Sequence, residues 1–186
     1  MLTEWASLWL PIVVSAAAVW IVSAIMWMVM PHHRNDQVRL PDEKAFMDFV
    51  RSQGIPPGNY AFPDCKTAAA RNAPEVKEAL DKGPMGTLSV WKPPMKMGPK
   101  MVATFVVLLI VSAIIGYLAA LTIDPKPAAM RVLRVVGTAG ILAYTFGGVC
   151  NMIWFGAYTR TIIASIVDGI VYGLVTGLVF MWLWPT

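Results

Sequence analysis

The amino-acid sequence predicts an all-α polytopic membrane protein: four transmembrane helices with a small α+β extramembrane insertion between helices 1 and 2. Hydrophobic residues make up 57% of the 186 residues and charged residues only 14%, whereas soluble domains are about 25% charged. The apolar residues are gathered into four runs. Each run is long enough to cross about 30 Å of hydrocarbon at about 1.5 Å per residue.

The first helix occupies residues 1–30, and we interpret it as a retained signal-anchor. Only Glu4 is charged before its apolar run, so the basic segment of a cleaved signal peptide is absent, and the run is longer than such a peptide requires. The segment 101–186 holds the other three helices, predicted at about 101–123, 130–152 and 161–184. Gly147 and Gly148 are expected to loosen the third of these helices near its end.

Residues 31–100 are the polar part of the chain and predict the α+β insertion. One helix opens at Pro41-Asp42-Glu43 and ends at Gly54. A second helix runs over 72–82, with Asn72 as its N-cap and Glu75 three residues later. Residues 60–62 and 87–91 are rich in residues that favour extended structure, and they predict two short strands.

The distribution of charge excludes nucleic acid as a partner and predicts a topology. The net charge is +4, but the 11 basic residues between Arg34 and Lys100 are mixed with eight acidic ones, so no basic stripe forms. Cytoplasmic loops carry the excess of Lys and Arg near span ends. Seven such residues against three place 31–100 in the cytoplasm and both termini outside, with the reverse orientation as the alternative. The seven are Arg34, Arg39, Lys44, Lys92, Lys96, Lys100 and Arg160, and the three are Lys126, Arg131 and Arg134.

Small residues recur at every fourth position in three of the predicted spans. Such rows let helix backbones approach closely in a bilayer, where lipid removes the hydrophobic gain from association. They predict tight packing within the bundle, and they suit contacts with other membrane subunits or with a second copy of the chain. The rows are Ser112, Gly116 and Ala120; Ala139, Ala143 and Gly147; and Gly169, Gly173 and Gly177.

Asp168 is the only charged residue in the fourth predicted span. A carboxylate inside a membrane faces the bundle and takes a polar partner. Arg160 lies two helical turns before it on roughly the same face, so we expect the two to form an intramembrane polar site. The functional hypothesis is a proton or ion relay. The alternative is a structural hydrogen bond to Tyr144, Asn151 or Thr161, since no second acid lies within the spans to complete a relay.

A metal site is a further hypothesis. The soft donors Cys65, Met95 and Met97, together with His32 and His33, would suit copper(I). Adjacent histidines point in different directions in regular structure and rarely bind one ion together, so the alternative is a pair of interfacial histidines and a Met-rich linker. No spacing matches a zinc or haem pattern, and no motif predicts another cofactor. Cys65 and Cys150 fall in different environments, so we expect no disulfide between them.

The order of features resembles an uncharacterised family of small four-span bacterial inner-membrane proteins. The resemblance covers most of the chain and implies a bacterial inner membrane, without supplying an activity. The residues that carry it are Leu40-Pro41-Asp42-Glu43, Pro56-Pro57-Gly58-Asn59-Tyr60-Ala61-Phe62-Pro63, Gly83-Pro84-Met85-Gly86 and Asp168-Gly169.

The sequence carries no catalytic triad and no phosphate-binding loop, which disfavours an enzyme. We therefore expect a non-enzymatic accessory, scaffold or assembly subunit of a larger bacterial membrane complex. One alternative is a small transporter or channel that uses Asp168. A second alternative is a membrane protein that handles a metal, copper by its soft donors, or redox chemistry.

Overall fold

The computed structural model describes residues 4–185, so the first three residues of the predicted 1–30 segment and Thr186 lie outside the described part. The chain divides into two compact units. The bundle unit includes the chain up to Asp36 and resumes at Lys96. The insert unit is Gln37–Met95. The predicted boundaries were 31 and 100, so the structure assigns residues 31–36 and 96–100 to the bundle unit instead.

Four helices of the described chain are long and apolar enough to cross a membrane, in agreement with the predicted number. We call them spans 1 to 4: Trp5–Met28, Met97–Thr122, Ala129–Trp154 and Thr159–Trp182. Span 1 begins with the 3₁₀ turn Trp5–Leu8 and continues as α1, Trp9–Met28. The helix of span 2 is regular throughout. The long helices support the coarse prediction of a multi-pass membrane protein.

Span 3 is interrupted in its middle. It consists of a helix over Ala129–Ile141, a π turn over Leu142–Phe146 and a further helix over Gly147–Trp154. The sequence predicted loosening at Gly147 and Gly148, but both residues lie in the regular helix that follows the π turn. The π turn places the buried Thr145 so close to Gly169 of span 4 that an added Cβ on that glycine would overlap the threonine side chain.

Spans 3 and 4 approach each other at their glycines. A Cβ added to Gly140 would lie 2.8 Å from the Gly173 Cα, and one added to Gly177 would lie 3.0 Å from the Gly137 Cα. The first distance is shorter than atomic contact permits and the second is a very tight contact, so the two backbones lie against each other where glycine removes the side chain. All three glycines of the predicted row in span 4, including Gly169, are buried.

The predicted row in span 3 is not the one that packs. Ala143 and Gly147 are exposed and Ala139 is only half-buried. Gly137 and Gly140 take their place. The buried positions Val132 and Val136 belong to the same core as Phe180, and their burial turns the helix so that these two glycines meet span 4.

Spans 1 and 2 pack through the predicted row in span 2. The Ser112 hydroxyl donates to the backbone carbonyl of Ile12 at 3.0 Å and also hydrogen-bonds the Ser15 hydroxyl. A Cβ on Gly116 would lie 2.9 Å from the Ile12 side chain, and Ala120 is 4% exposed. This row is therefore buried against span 1.

The insert unit has the predicted mixture of helices and strands. Its helices are α2, Glu43–Ser52; α3, Ala68–Asn72; and α4, Pro74–Lys82. Strands β1, Gly58–Phe62, and β2, Gly86–Val90, form an antiparallel two-stranded sheet in which Gly58 faces Val90 and Phe62 faces Gly86.

The ends of these helices follow capping chemistry, with one difference from the prediction. The Asp42 carboxylate accepts a hydrogen bond from the Ala45 backbone N–H at 2.9 Å and caps α2. Asn72 does not cap α4. It is the last residue of α3, and Pro74 begins α4 after Ala73. Proline suits that first helical position because its missing N–H leaves no donor unpaired.

Candidate metal centre

Two parts of the chain that are far apart in sequence meet in the bundle unit. After span 1 ends, Pro31–His33 forms a 3₁₀ turn, which we call the histidine turn. This turn packs against span 4. Asp168 of span 4 is 4% exposed and lies about 14 Å along the helix axis from Thr159. The histidine turn therefore brings its two imidazoles to a buried carboxylate.

Each oxygen of the Asp168 carboxylate engages one imidazole. His32 Nε2 lies 2.8 Å from Oδ1, and His33 Nε2 lies 2.8 Å from Oδ2. The three potential ligand atoms, one from each residue, all lie within 4.8 Å of one another. The two imidazole rings are 4.3 Å apart and tilted by 44°. Two nitrogens and a carboxylate oxygen thus converge on one point.

A second layer of contacts holds the His33 ring. Its other nitrogen, Nδ1, lies 2.6 Å from Asp36 Oδ2, and Thr161 donates a hydrogen bond to Asp36 Oδ1 at 3.1 Å. Trp27 stacks on the same ring with 4.0 Å between centroids and 8° between planes. Contacts on both its edge and its face therefore fix the orientation of His33.

Asp168 has a further partner within its own helix. The Tyr172 hydroxyl donates to Asp168 Oδ2 at 3.3 Å. These two residues are one helical turn apart and share a face. Asp168 consequently has both oxygens engaged although it is almost completely buried, as a charged group in such a place requires.

The contacts shift the pKa of two groups outside the spans. Burial opposes protonation of His33, but its hydrogen bonds to the Asp36 and Asp168 carboxylates and their charges outweigh burial, so the pKa of His33 is raised. The hydrogen bond from His33 lowers the pKa of Asp36; burial opposes this shift, and the Thr161 hydroxyl and the charge of Arg160 reinforce it. Asp36 is therefore an ionised second-layer carboxylate at neutral pH.

The expected partner of Asp168 is not the one that the structure shows. Arg160 is exposed, and within residues 4–185 no hydrogen bond or ion pair joins it to Asp168. Thr161, one of the alternative partners, binds Asp36 instead. In place of Arg160, His32 and His33 engage the two oxygens of Asp168.

The predicted metal set is divided between the two units. Cys65 and Met95 belong to the insert unit, whereas the two histidines belong to the bundle unit. Met97 is the exposed first residue of span 2. Both cysteines are free thiols. The converging group contains His32 and His33 as predicted, but with Asp168 as the third member in place of the soft donors.

Adjacent histidines are expected to bind one ion together only rarely, yet in this turn both rings contact the same carboxylate. A 3₁₀ turn has about three residues per turn, so consecutive side chains leave it in different directions. Here Asp168 approaches between them and offers a separate oxygen to each ring.

One sequence signal could have linked the histidines to span 4. Four helices that cross a membrane in succession alternate in direction, so the end of span 1 and the start of span 4 lie on the same side. That rule brings the histidine turn and Asp36 to the level of Thr161. The rotation that turns Asp168 toward them depends on helix packing.

Comparisons of the chain with protein-family models, with curated proteins and with solved structures give no match. The chemistry of the site therefore has to indicate the function. Two imidazole nitrogens and one carboxylate oxygen are a donor set for a divalent first-row transition metal.

Proposed function

We propose that this chain is an integral membrane protein that binds one divalent first-row transition-metal ion through His32, His33 and Asp168. The observation that carries the proposal is the convergence of three ligand atoms within 4.8 Å. Each of these side chains alone has a structural explanation, such as a hydrogen bond at the membrane edge. Together they match the two-histidine, one-carboxylate set that holds such metals.

The second layer supports a metal site over a simple hydrogen-bond network. Histidines that bind metals donate their other ring N–H to a carboxylate or carbonyl, which fixes the tautomer and the ring orientation. His33 has this arrangement, because its Nδ1 meets Asp36 while its Nε2 faces Asp168. In the structure His33 Nε2 donates its proton to Asp168. A bound ion would displace that proton and take the Nε2 lone pair, while Asp36 keeps the Nδ1 proton.

The donor set also favours a class of metal. Thiolate and thioether ligands select copper(I), whereas imidazole and carboxylate suit divalent iron, manganese, nickel, cobalt or zinc. The three converging side chains carry no sulfur. We therefore propose a divalent ion, and we replace the copper(I) hypothesis, which depended on Cys65, Met95 and Met97.

The role of the protein in the membrane is a separate proposal from metal binding. We propose that the protein serves as an accessory subunit of a bacterial inner-membrane complex, with the insert unit in the cytoplasm and both termini outside. A bound metal is compatible with that role. We place a transporter second. It would use Asp168 as a relay group, but each oxygen of this carboxylate already engages a histidine.

Metal analysis of the purified protein tests the proposal. The protein is extracted, stripped with a chelator, and titrated with Fe²⁺, Mn²⁺, Co²⁺, Ni²⁺ and Zn²⁺. We expect one equivalent of metal to bind per chain. In Asp168→Asn we expect at least about a 100-fold loss of affinity, because loss of a ligand costs more than the 10- to 100-fold of an outer-shell partner.

Asp124→Asn is the matched control, since Asp124 is an exposed acid between spans 2 and 3. Its affinity should equal that of the wild type. Equal metal content in the wild type and in Asp168→Asn, both as purified and after titration, would contradict the proposal.

A further inference from the structure

The number of protein ligands sets what a bound ion can do. Within residues 4–185, the His, Cys, Asp and Glu side chains that converge at the site are His32, His33 and Asp168. Structural zinc sites are closed by four protein ligands, whereas sites with three keep a position for water or a substrate. An ion held by this set therefore has at least one coordination position that these ligands do not fill.

The nearest polar groups are already engaged elsewhere. Asp36 accepts from His33 through Oδ2 and from Thr161 through Oδ1, so both of its oxygens are in use. The Tyr172 hydroxyl donates its proton to Asp168. This hydroxyl therefore supports a ligand of the ion through its hydrogen bond.

Burial indicates where the open position lies. The side chains of His33 and Asp168 are 3% and 5% exposed, whereas that of His32 is 25% exposed. Trp27 covers one face of the His33 ring, and Tyr172 lies against Asp168. The accessible side of the site is therefore the side of His32.

Charge indicates which ligand fits. A divalent ion with one carboxylate and two neutral imidazoles keeps a formal charge of about +1 in its first shell. The carboxylate of Asp36 lies across the His33 ring from Asp168, and the positive charge of Arg160 near Asp36 offsets its negative charge. Uncompensated charge in a low-dielectric place is costly, and a monoanion at the open position removes it.

We infer, on the basis of the proposed function, that the metal ion binds a small monodentate anion at an open position reached from the side of His32. The ion would then bind an exogenous ligand, in addition to linking span 4 to the histidine turn.

Cobalt(II) and azide test this inference on the full-length protein in nanodiscs. Cobalt(II) reports its coordination through visible absorption, and azide is the small-anion probe. We expect saturable shifts of the cobalt bands with one azide per metal. The matched variant Tyr117→Phe removes an exposed hydroxyl of span 2 and leaves the site and its supporting contacts intact, so its azide response should match that of the wild type.

The outcomes separate the two proposals. Stoichiometric cobalt binding with bands that azide leaves unchanged would overturn the open position while the metal site stands. Absence of cobalt binding in the wild type would overturn the metal site itself. A response to azide that disappears in Tyr117→Phe would place the anion at that hydroxyl and away from the metal ion, and would also overturn the inference.

Discussion

At the scale of single residues, the central feature is how the buried carboxylate of Asp168 is compensated by its partners. Asp168 would be costly on an otherwise apolar helix. The structure offsets that cost with His32, His33 and Tyr172. Two of these partners are residue types that bind metals, so Asp168 is the centre of the proposed metal site.

Asp36 should control metal affinity without touching the metal. It holds the Nδ1 side of His33, and loss of such an outer-shell carboxylate costs about 10- to 100-fold in affinity. We expect Asp36→Asn to weaken binding by that amount, because a neutral amide orients the imidazole less strongly. Competition against a coloured chelator measures the change.

The control for Asp36→Asn is Asp48→Asn. Asp48 is a partly exposed acid of α2 in the insert unit, where it pairs with Lys44 and Arg51. Its replacement should leave metal affinity unchanged. If Asp36→Asn binds metal as tightly as Asp48→Asn does, Asp36 has no positioning role.

At the scale of elements, the close contact between spans 3 and 4 depends on glycine. The Gly173 backbone packs on Gly140 and Ile141 of span 3. Small residues are visible in the sequence, but span 3 offers two sets of them, the predicted row and the pair Gly137 and Gly140. Its larger core residues decide which of them faces span 4.

Gly173→Ala should destabilise the bundle. The added methyl group would lie 2.9 Å from the Gly140 carbonyl carbon, and backbone atoms cannot swing aside as a side chain can. Forcing extra atoms into a packed core costs about 1–3 kcal/mol. Unfolding of the micelle-bound protein by increasing fractions of SDS would measure the loss.

Gly147→Ala is the matched change in span 3. An added Cβ there meets nothing within 4 Å, and alanine is the better helix former by about 1 kcal/mol. We expect unchanged or slightly higher stability. Equal destabilisation by both substitutions would show that the row Ala139, Ala143 and Gly147 is also packed, for example in contact with a second copy of the chain.

At the scale of the whole molecule, the spans must cross the membrane in alternating directions. The insert unit follows span 1, and span 4 begins after an even number of further crossings. The end of span 1 and the beginning of span 4 therefore lie on the same side of the membrane. The candidate metal site lies where these two segments meet, so the topology determines the compartment that it would face.

Cysteine labelling tests the proposed orientation. Cys65 lies in the insert unit, so in a Cys150→Ser background we expect a membrane-impermeant maleimide to modify it in inside-out vesicles and not in right-side-out vesicles. Lys126→Cys, between spans 2 and 3 in a chain with Cys65→Ser and Cys150→Ser, should show the reverse pattern. If both patterns are exchanged, the insert unit faces the outside.

The sequence by itself determined the number of long apolar helices and the mixed character of the insert unit. These are local properties. Apolar length reports the ability to cross a bilayer, and turn and capping residues such as Asp42 and Pro74 mark helix ends within a few positions. The two strands were predicted at 60–62 and 87–91 and lie at Gly58–Phe62 and Gly86–Val90.

Tertiary structure alone decided where the site is and which residues form it. His32 and Asp168 are separated by 136 residues. Their contact depends on the rotation of span 4 about its axis and on where the histidine turn packs against it. Rotation is set by packing over the full length of a helix, including the glycine contacts with span 3. The spacing of residues within one segment contains no information about this rotation. The sequence therefore predicted Arg160 as the partner of Asp168, whereas the structure shows the two histidines.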